Sequence, residues 1–144
     1  MKLDIVPHPI PEFEASDVLQ IRHIVKRLEL PEEFAAETTV QIGKAARYST
    51  TTPANVALIV NKAREKLGLP ELSELVLPGG KPVWFAGERA QGPVRLRAGE
   101  LLDGIHSAYF VGELLTRVRN TPEEVAAVIE ASGGQVLAIP EILA

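Results

Sequence analysis

The break "STTTP" at residues 49–53 constrains this chain more than any other feature. A residue before proline is pushed out of the α region, so Thr52 must be extended. Pro53 suits a first helical position, because the N–H it lacks would find no partner there. Gly68 and Pro70 supply the stop. The spacing between them predicts a helix over 53–67, with Val56, Ile59, Val60, Ala63 and Leu67 buried. Asn55, Lys62 and Lys66 then line the opposite side, with Leu58 among them. A helix is also signalled at "TPEEVAAVIEASGG", where Thr121 caps, Pro122 comes first and Glu123 and Glu124 suit the positive end of the dipole. Gly133 ends it.

Elsewhere apolar spacing is the guide. In "EASDVLQIRHIVKRL", Ser16 is a good cap and Val18, Leu19, Ile21, Ile24, Val25 and Leu28 recur at helical intervals. "PEEFAAETTVQIGKAARY" reads as helix from Pro31 to Tyr48, in one piece or in two broken near the β-branched Thr38-Thr39-Val40. Leu101, Ile105, Ala108, Gly112 and Leu115 predict another helix between Gly99 and Arg119, small enough at Ala108 and Gly112 to pack closely on a neighbour or on its copy in a homodimer. Pro7, Pro9 and Pro11 confine the opening segment to an edge strand or extended arm. "ELVLPGGKPVWFAG" predicts a β-hairpin, "GPVRLRAG" a third strand and "QVLAIP" a short buried strand. No internal repeat is apparent. The expectation is a single α+β domain over 1–144: an arm at 1–15, a helical part at 16–67, a hairpin part at 74–97, and C-terminal helices with a short strand at 99–144. Its architecture would be a small helical bundle with a helix-turn-helix-like segment followed by a short hairpin or three-stranded sheet, in winged-helix order.

The composition, 46% hydrophobic and 24% charged over 144 residues, suits one ordinary soluble domain. No apolar run approaches the ~20 residues of a membrane span, and the N-terminus lacks the pattern of a signal peptide, so a cytoplasmic location is expected. Without cysteine there is no disulfide, thiolate nucleophile or cysteine-ligated metal. The net charge of −4 is unevenly spread: residues 38–97 carry 9 Lys/Arg against 4 Asp/Glu, while 1–37 carry 4 against 8 and 98–144 carry 2 against 7. A basic middle is a hint of an anionic partner.

The stretch from Ile42 to Ala63 carries the sharpest functional reading. Ile42, Ala46 with Tyr48 two residues on, and "VALIVNKA" from Val56 place a short and a longer apolar-periodic segment around a polar break. The stretch resembles the DNA-binding headpiece of the LacI family of repressors over about 22 residues. It departs at Thr50 and Thr51, where the family's turn has a glycine followed by an apolar residue, at Leu58, where the family often carries a base-reading arginine, and in lying some forty residues into the chain. The family is therefore not assigned, and the more general order of a winged helix is what remains. That order implies a DNA-binding transcription regulator with Thr52, Asn55, Lys62 and Lys66 near the groove and Lys81, Arg95 and Arg97 on or beside the wing. The alternative is a protein-binding regulator that docks on a larger assembly through the hairpin and an exposed apolar face.

Enzymatic chemistry has less behind it. "PGGKP" lacks the spacing of a phosphate loop, and Lys81 is followed by proline instead of a hydroxyl residue. Glu100, Asp103 and His106 would share a helix face, yet no second copy of the motif exists to complete a bundle metal site. No catalytic residue, metal or cofactor is expected. Trp84 and Phe85, adjacent in a strand, face opposite sides, so one is core and the other needs a cover or a partner.

Overall fold

Strands dominate where helices were expected. In the computed structural model, which describes residues 3–6, 13–24, 35–96 and 104–139, ten strands and two α-helices are present. The chain divides into two compact units, Met1–Leu72 and Ser73–Ala144.

The first unit contains β1 (Ile5–Val6), β2 (Val18–His23), β3 (Thr38–Ile42), β4 (Ala45–Ser49) and α1 (Pro53–Lys66). Its strands lie in the order β1-β4-β3-β2 with antiparallel neighbours. The expected helices over 16–28 and 31–48 are thus overturned across their described residues. A 3-10 turn at Ala15–Asp17 leads into β2, and "TTVQIGKAARYS" is a hairpin pairing Ile42 with Ala45 across Gly43-Lys44. Gly43 has φ +59°, a conformation that favours glycine, and positive φ at the first of two turn residues closes a tight hairpin. The β-branched Thr38, Thr39 and Val40 suit the pleat and are fully buried. Asp4 fastens β1: its carboxylate accepts from Ser49 Oγ (2.6 Å), Thr51 Oγ1 (2.7 Å) and the Thr50 amide (3.0 Å). Ile5–Val6 is an edge strand of the opening segment, while Pro7, Pro9 and Pro11 lie outside the described residues.

The second unit holds β5 (Ser73–Val76), β6 (Pro82–Phe85), β7 (Ala90–Gly92), β8 (Ser107–Val111), β9 (Leu114–Val118), α2 (Pro122–Ala131) and β10 (Gln135–Val136). The β5–β6 hairpin around Pro78-Gly79-Gly80 forms as expected. Strand order in the remaining sheet is β10-β7-β8-β9, with β10 parallel to β7. The helix expected over 99–119 is absent from its described part, which is a second tight hairpin: Val111 pairs with Leu114 across Gly112-Glu113, and Gly112 has φ +59°. Ala108 and Gly112 therefore form no small-residue helix face. The third strand falls at Ala90–Gly92, earlier than expected, and β10 is exposed instead of buried. Phe85 is buried and stacks on Tyr109 at 4.2 Å between ring centroids, while Trp84 on the other strand face is half-buried.

An internal repeat, not apparent in the sequence, emerges from these ranges. Thr38, Ala45 and Pro53 begin β3, β4 and α1; Ser107, Leu114 and Pro122 begin β8, β9 and α2, in each case 69 residues later. The register repeats as well, since Thr38↔Ser49 corresponds to Ser107↔Val118 and Ile42↔Ala45 to Val111↔Leu114. Each copy is preceded by a 3-10 turn and a strand antiparallel to its hairpin, with Val18↔Ile42 in one and Ala90↔Val111 in the other. Each helix packs on its own 3-10 turn and on the strands that follow it. Identity in register is confined to Gly43/Gly112, Thr52/Thr121, Pro53/Pro122, Val56/Val125 and Ala57/Ala126, the positions that make the turn, start the helix and fill its inner face.

The winged-helix architecture is accordingly not the fold. Ile42 to Tyr48, offered as the first helix of a bipartite motif, are strand and turn, and α1 is the one α-helix described ahead of the β5–β6 hairpin. The LacI-like stretch is a hairpin joined to a helix. Among the described residues no helix is long and apolar enough to cross a membrane.

Candidate interaction surface on the first helix

The two helices are built alike inside and differently outside. Val56 and Val60 of α1 are fully buried, as are Val125 and Ile129 at the equivalent positions of α2. Arg64 completes the inner face of α1, where its Nε donates to the Pro70 carbonyl at 2.8 Å. Asn61 Oδ1 accepts from the Leu72 amide at 2.8 Å. These bonds return the chain along the helix and fix which side of α1 faces outward.

The outward side of α1 carries Asn55, Leu58, Ile59, Lys62 and Lys66, all exposed, with Ala54 and Glu65 along one margin. Their spacing of three and four residues puts them on one face. Leu58 is 60% exposed and Ile59 37%. Single exposed apolar residues are ordinary, but two adjacent branched aliphatics flanked by two lysines form a small amphipathic patch. Ile59, expected in the buried stripe, is on the outside; Ala57 and Arg64 occupy the interior in its place, and Leu67 at the helix end is half exposed. The face of α2 at the same place is different: Glu123, Glu124, Ala127, Glu130 and Ala131 are its exposed residues.

The residues named for nucleic acid divide between the units. Thr52, Asn55, Lys62 and Lys66 share the exposed side or start of α1 in the first unit. Lys81 is exposed beside the β5–β6 turn and Arg95 is exposed after β7, both in the second unit, and Arg97 lies outside the described residues. Ile59 was missed as a site residue because at helical spacing it read as part of the buried stripe; Leu58 was placed among the outward cations but given no role there.

Asp103 lies outside the described residues. His106 stands just ahead of β8, exposed, with Nδ1 2.6 Å from the Arg119 carbonyl oxygen, which takes the ring N–H. The described residues hold no group of three or more His, Asp or Glu that could bind a metal ion. Among the described residues two carboxylates titrate low. Partial burial pushes Asp4 upward, but the hydrogen bonds from Ser49, Thr51 and the amides of Asp4 and Thr50 outweigh it. The backbone and then the side-chain hydrogen bond from Thr121 hold Glu124 down, with the nearby His106 contributing last.

No known protein family, curated protein or solved structure matches the chain significantly.

Proposed function

We propose that this chain is a non-enzymatic binding module that docks on a protein partner through the outward face of α1. The observation that carries the reading is the exposure of Leu58 and Ile59 between Lys62, Lys66 and Asn55 on a helix whose opposite face is fully committed to the core. Covering those two side chains would contribute about 2 kcal/mol, scaled from full burial of an aliphatic by the fraction each leaves exposed. The lysines would orient the partner and raise the rate of encounter more than the affinity.

The same two lysines would serve phosphates, so the test has two arms. A photo-cross-linking residue in place of Leu58 should trap a protein, and the same residue in place of the exposed Glu71 should not. Fluorescence anisotropy with random duplex DNA, run at several salt concentrations, is the second arm. Affinity tighter than roughly 10⁻⁴ M that is lost with Lys62→Ala and Lys66→Ala, without a protein cross-link, would move the face to nucleic acid.

A further inference from the structure

The internal repeat supplies a chemical complement to the α1 face within the same chain. At the equivalent place on the other copy of the hairpin–helix unit, α2 exposes Glu123, Glu124 and Glu130 around Ala127 and Ala131. The inner faces of the two helices match, with Val56, Ala57 and Val60 corresponding to Val125, Ala126 and Ile129. The exposed side of α1 is basic and that of α2 acidic; in register Leu58 corresponds to Ala127, Ile59 to the half-buried Val128, Asn55 to Glu124 and Lys62 to Ala131. The scaffold is held while the outward chemistry changes from basic and aliphatic to acidic.

We infer that the outward face of α1 binds the outward face of α2 in a second copy of this chain, a head-to-tail contact that rests on the docking role proposed for α1. Geometry favours an antiparallel helix pair. The lysines lie in the second half of α1, and two of the three glutamates lie in the first turn of α2, so antiparallel alignment sets Lys62 and Lys66 beside Glu123 and Glu124. Toward the other end Leu58 and Ile59 meet Ala127 and Ala131, where small side chains let two helices approach closely and leave room for larger ones. Parallel alignment in register would set Lys62 near Glu130 alone and leave Glu123 and Glu124 without a lysine. Because the two faces are different surfaces, the contact closes as a two-fold dimer where both reciprocal pairs form at once, and otherwise propagates into rings or chains of copies.

Sedimentation velocity on the purified full chain tests this, over concentrations from about 10 µM to about 1 mM. The wild type should pass from monomer to dimer or larger species, and raised salt should shift it back, since exposed ion pairs are screened. Lys62→Glu with Lys66→Glu makes both faces acidic; Glu123→Lys with Glu130→Lys leaves Glu124 in its capping box and turns the rest of the α2 face basic, like that of α1. Each double variant alone should associate about tenfold more weakly than the wild type or less, because like charges then face each other. Mixed in equal amounts, the two should recover the wild-type series. Circular dichroism melting of each variant confirms that these surface changes leave the fold intact. A wild type that stays monomeric throughout, a dimer that neither variant weakens, or a mixture that fails to recover would overturn the inference. If the wild type is monomeric and the cross-linker at position 58 traps a different protein, the docking role of α1 stands and only the second copy as its occupant falls.

Discussion

Thr52 and Thr121 occupy equivalent positions of the repeat, both extended ahead of a helix-starting proline, with φ/ψ of −61°/151° and −67°/159°. Threonine is a good N-cap at either place, yet their side chains do different things. Thr121 Oγ1 accepts from the Glu124 amide at 3.2 Å, and Glu124 Oε1 accepts from the Thr121 amide and from its hydroxyl, each at 3.1 Å. That is a closed capping box. Thr52 makes no side-chain cap bond, and the residue three positions on is Asn55, with no carboxylate to reach back. Thr121→Ala should therefore cost about 1 kcal/mol, the usual loss for a working cap. Thr52→Ala should stay within about 0.5 kcal/mol, as for other exposed positions. Urea unfolding gives the stability difference, and amide exchange locates it: the Glu124 amide should open about five times more often in Thr121→Ala, the ratio that ~1 kcal/mol represents. Acid provides a second check. Glu124 titrates below its ordinary value in the folded chain, so the box contributes above that ordinary value and is lost as pH falls through the folded one. The cost of Thr121→Ala should shrink correspondingly at low pH. Equal costs at the two threonines, or a pH-independent cost at Thr121, would refute the reasoning.

Two further outcomes follow from the same geometry. Asp4 has an ordinary pKa of 3.8 and a lower one when folded, so its clamp on Ser49, Thr50 and Thr51 should stabilise fully above 3.8 and fade as pH falls through the folded value; Asp4→Asn should melt below the wild type at neutral pH and converge with it in acid. Gly134→Ala would place a methyl 2.7 Å from Ile129 Cγ2 and 2.8 Å from the Ala90 carbonyl, with the Gly87 carbonyl nearer still; denaturant titration should show a loss of about 1–3 kcal/mol from overpacking, whereas Gly79→Ala, with nothing within 4 Å, should be neutral.

What was legible in the sequence tracks the physical kind of signal. Both helices were legible because proline, a preceding threonine and a closing glycine act locally, whatever the rest of the chain does. α1 ends at Lys66 and α2 at Ala131, with Gly68 and Gly133 at φ +73° and +82° beyond them. The β5–β6 hairpin was legible for the same reason. The β3–β4 and β8–β9 hairpins were not, because each turn is a single Gly-Lys or Gly-Glu pair inside an apolar run whose spacing also fits a helix. Leu101, Ile105, Ala108, Gly112 and Leu115 match the helical period, yet Tyr109, Phe110 and Val111 are strong strand formers and Gly112 sits in the tight turn. Consecutive burial at Thr38, Thr39 and Val40 hides the two-residue alternation of a half-exposed strand. The repeat escaped notice because its matching residues are too few and too scattered to stand out without the strand register. Of the α1 face, the exposed cations were legible from helical spacing; the exposure of Ile59 depends on Arg64 taking an interior place, which periodicity would not assign to arginine.

Leu58→Asp is the most direct test that the outward face of α1 works in binding and not in folding. The chain should be read twice, once by thermal melting and once by photo-cross-linking from position 62. A polar residue at a site 60% exposed should shift stability by no more than about 0.5 kcal/mol, or about 2 °C in Tm. Removing the apolar area of Leu58 from an interface should cost about 1 kcal/mol or more, so the cross-linked yield at limiting concentration should fall severalfold. An unchanged Tm with a lost cross-link is the expected result. A Tm lowered by about 5 °C or more with the cross-link intact would make Leu58 a structural residue and contradict the account.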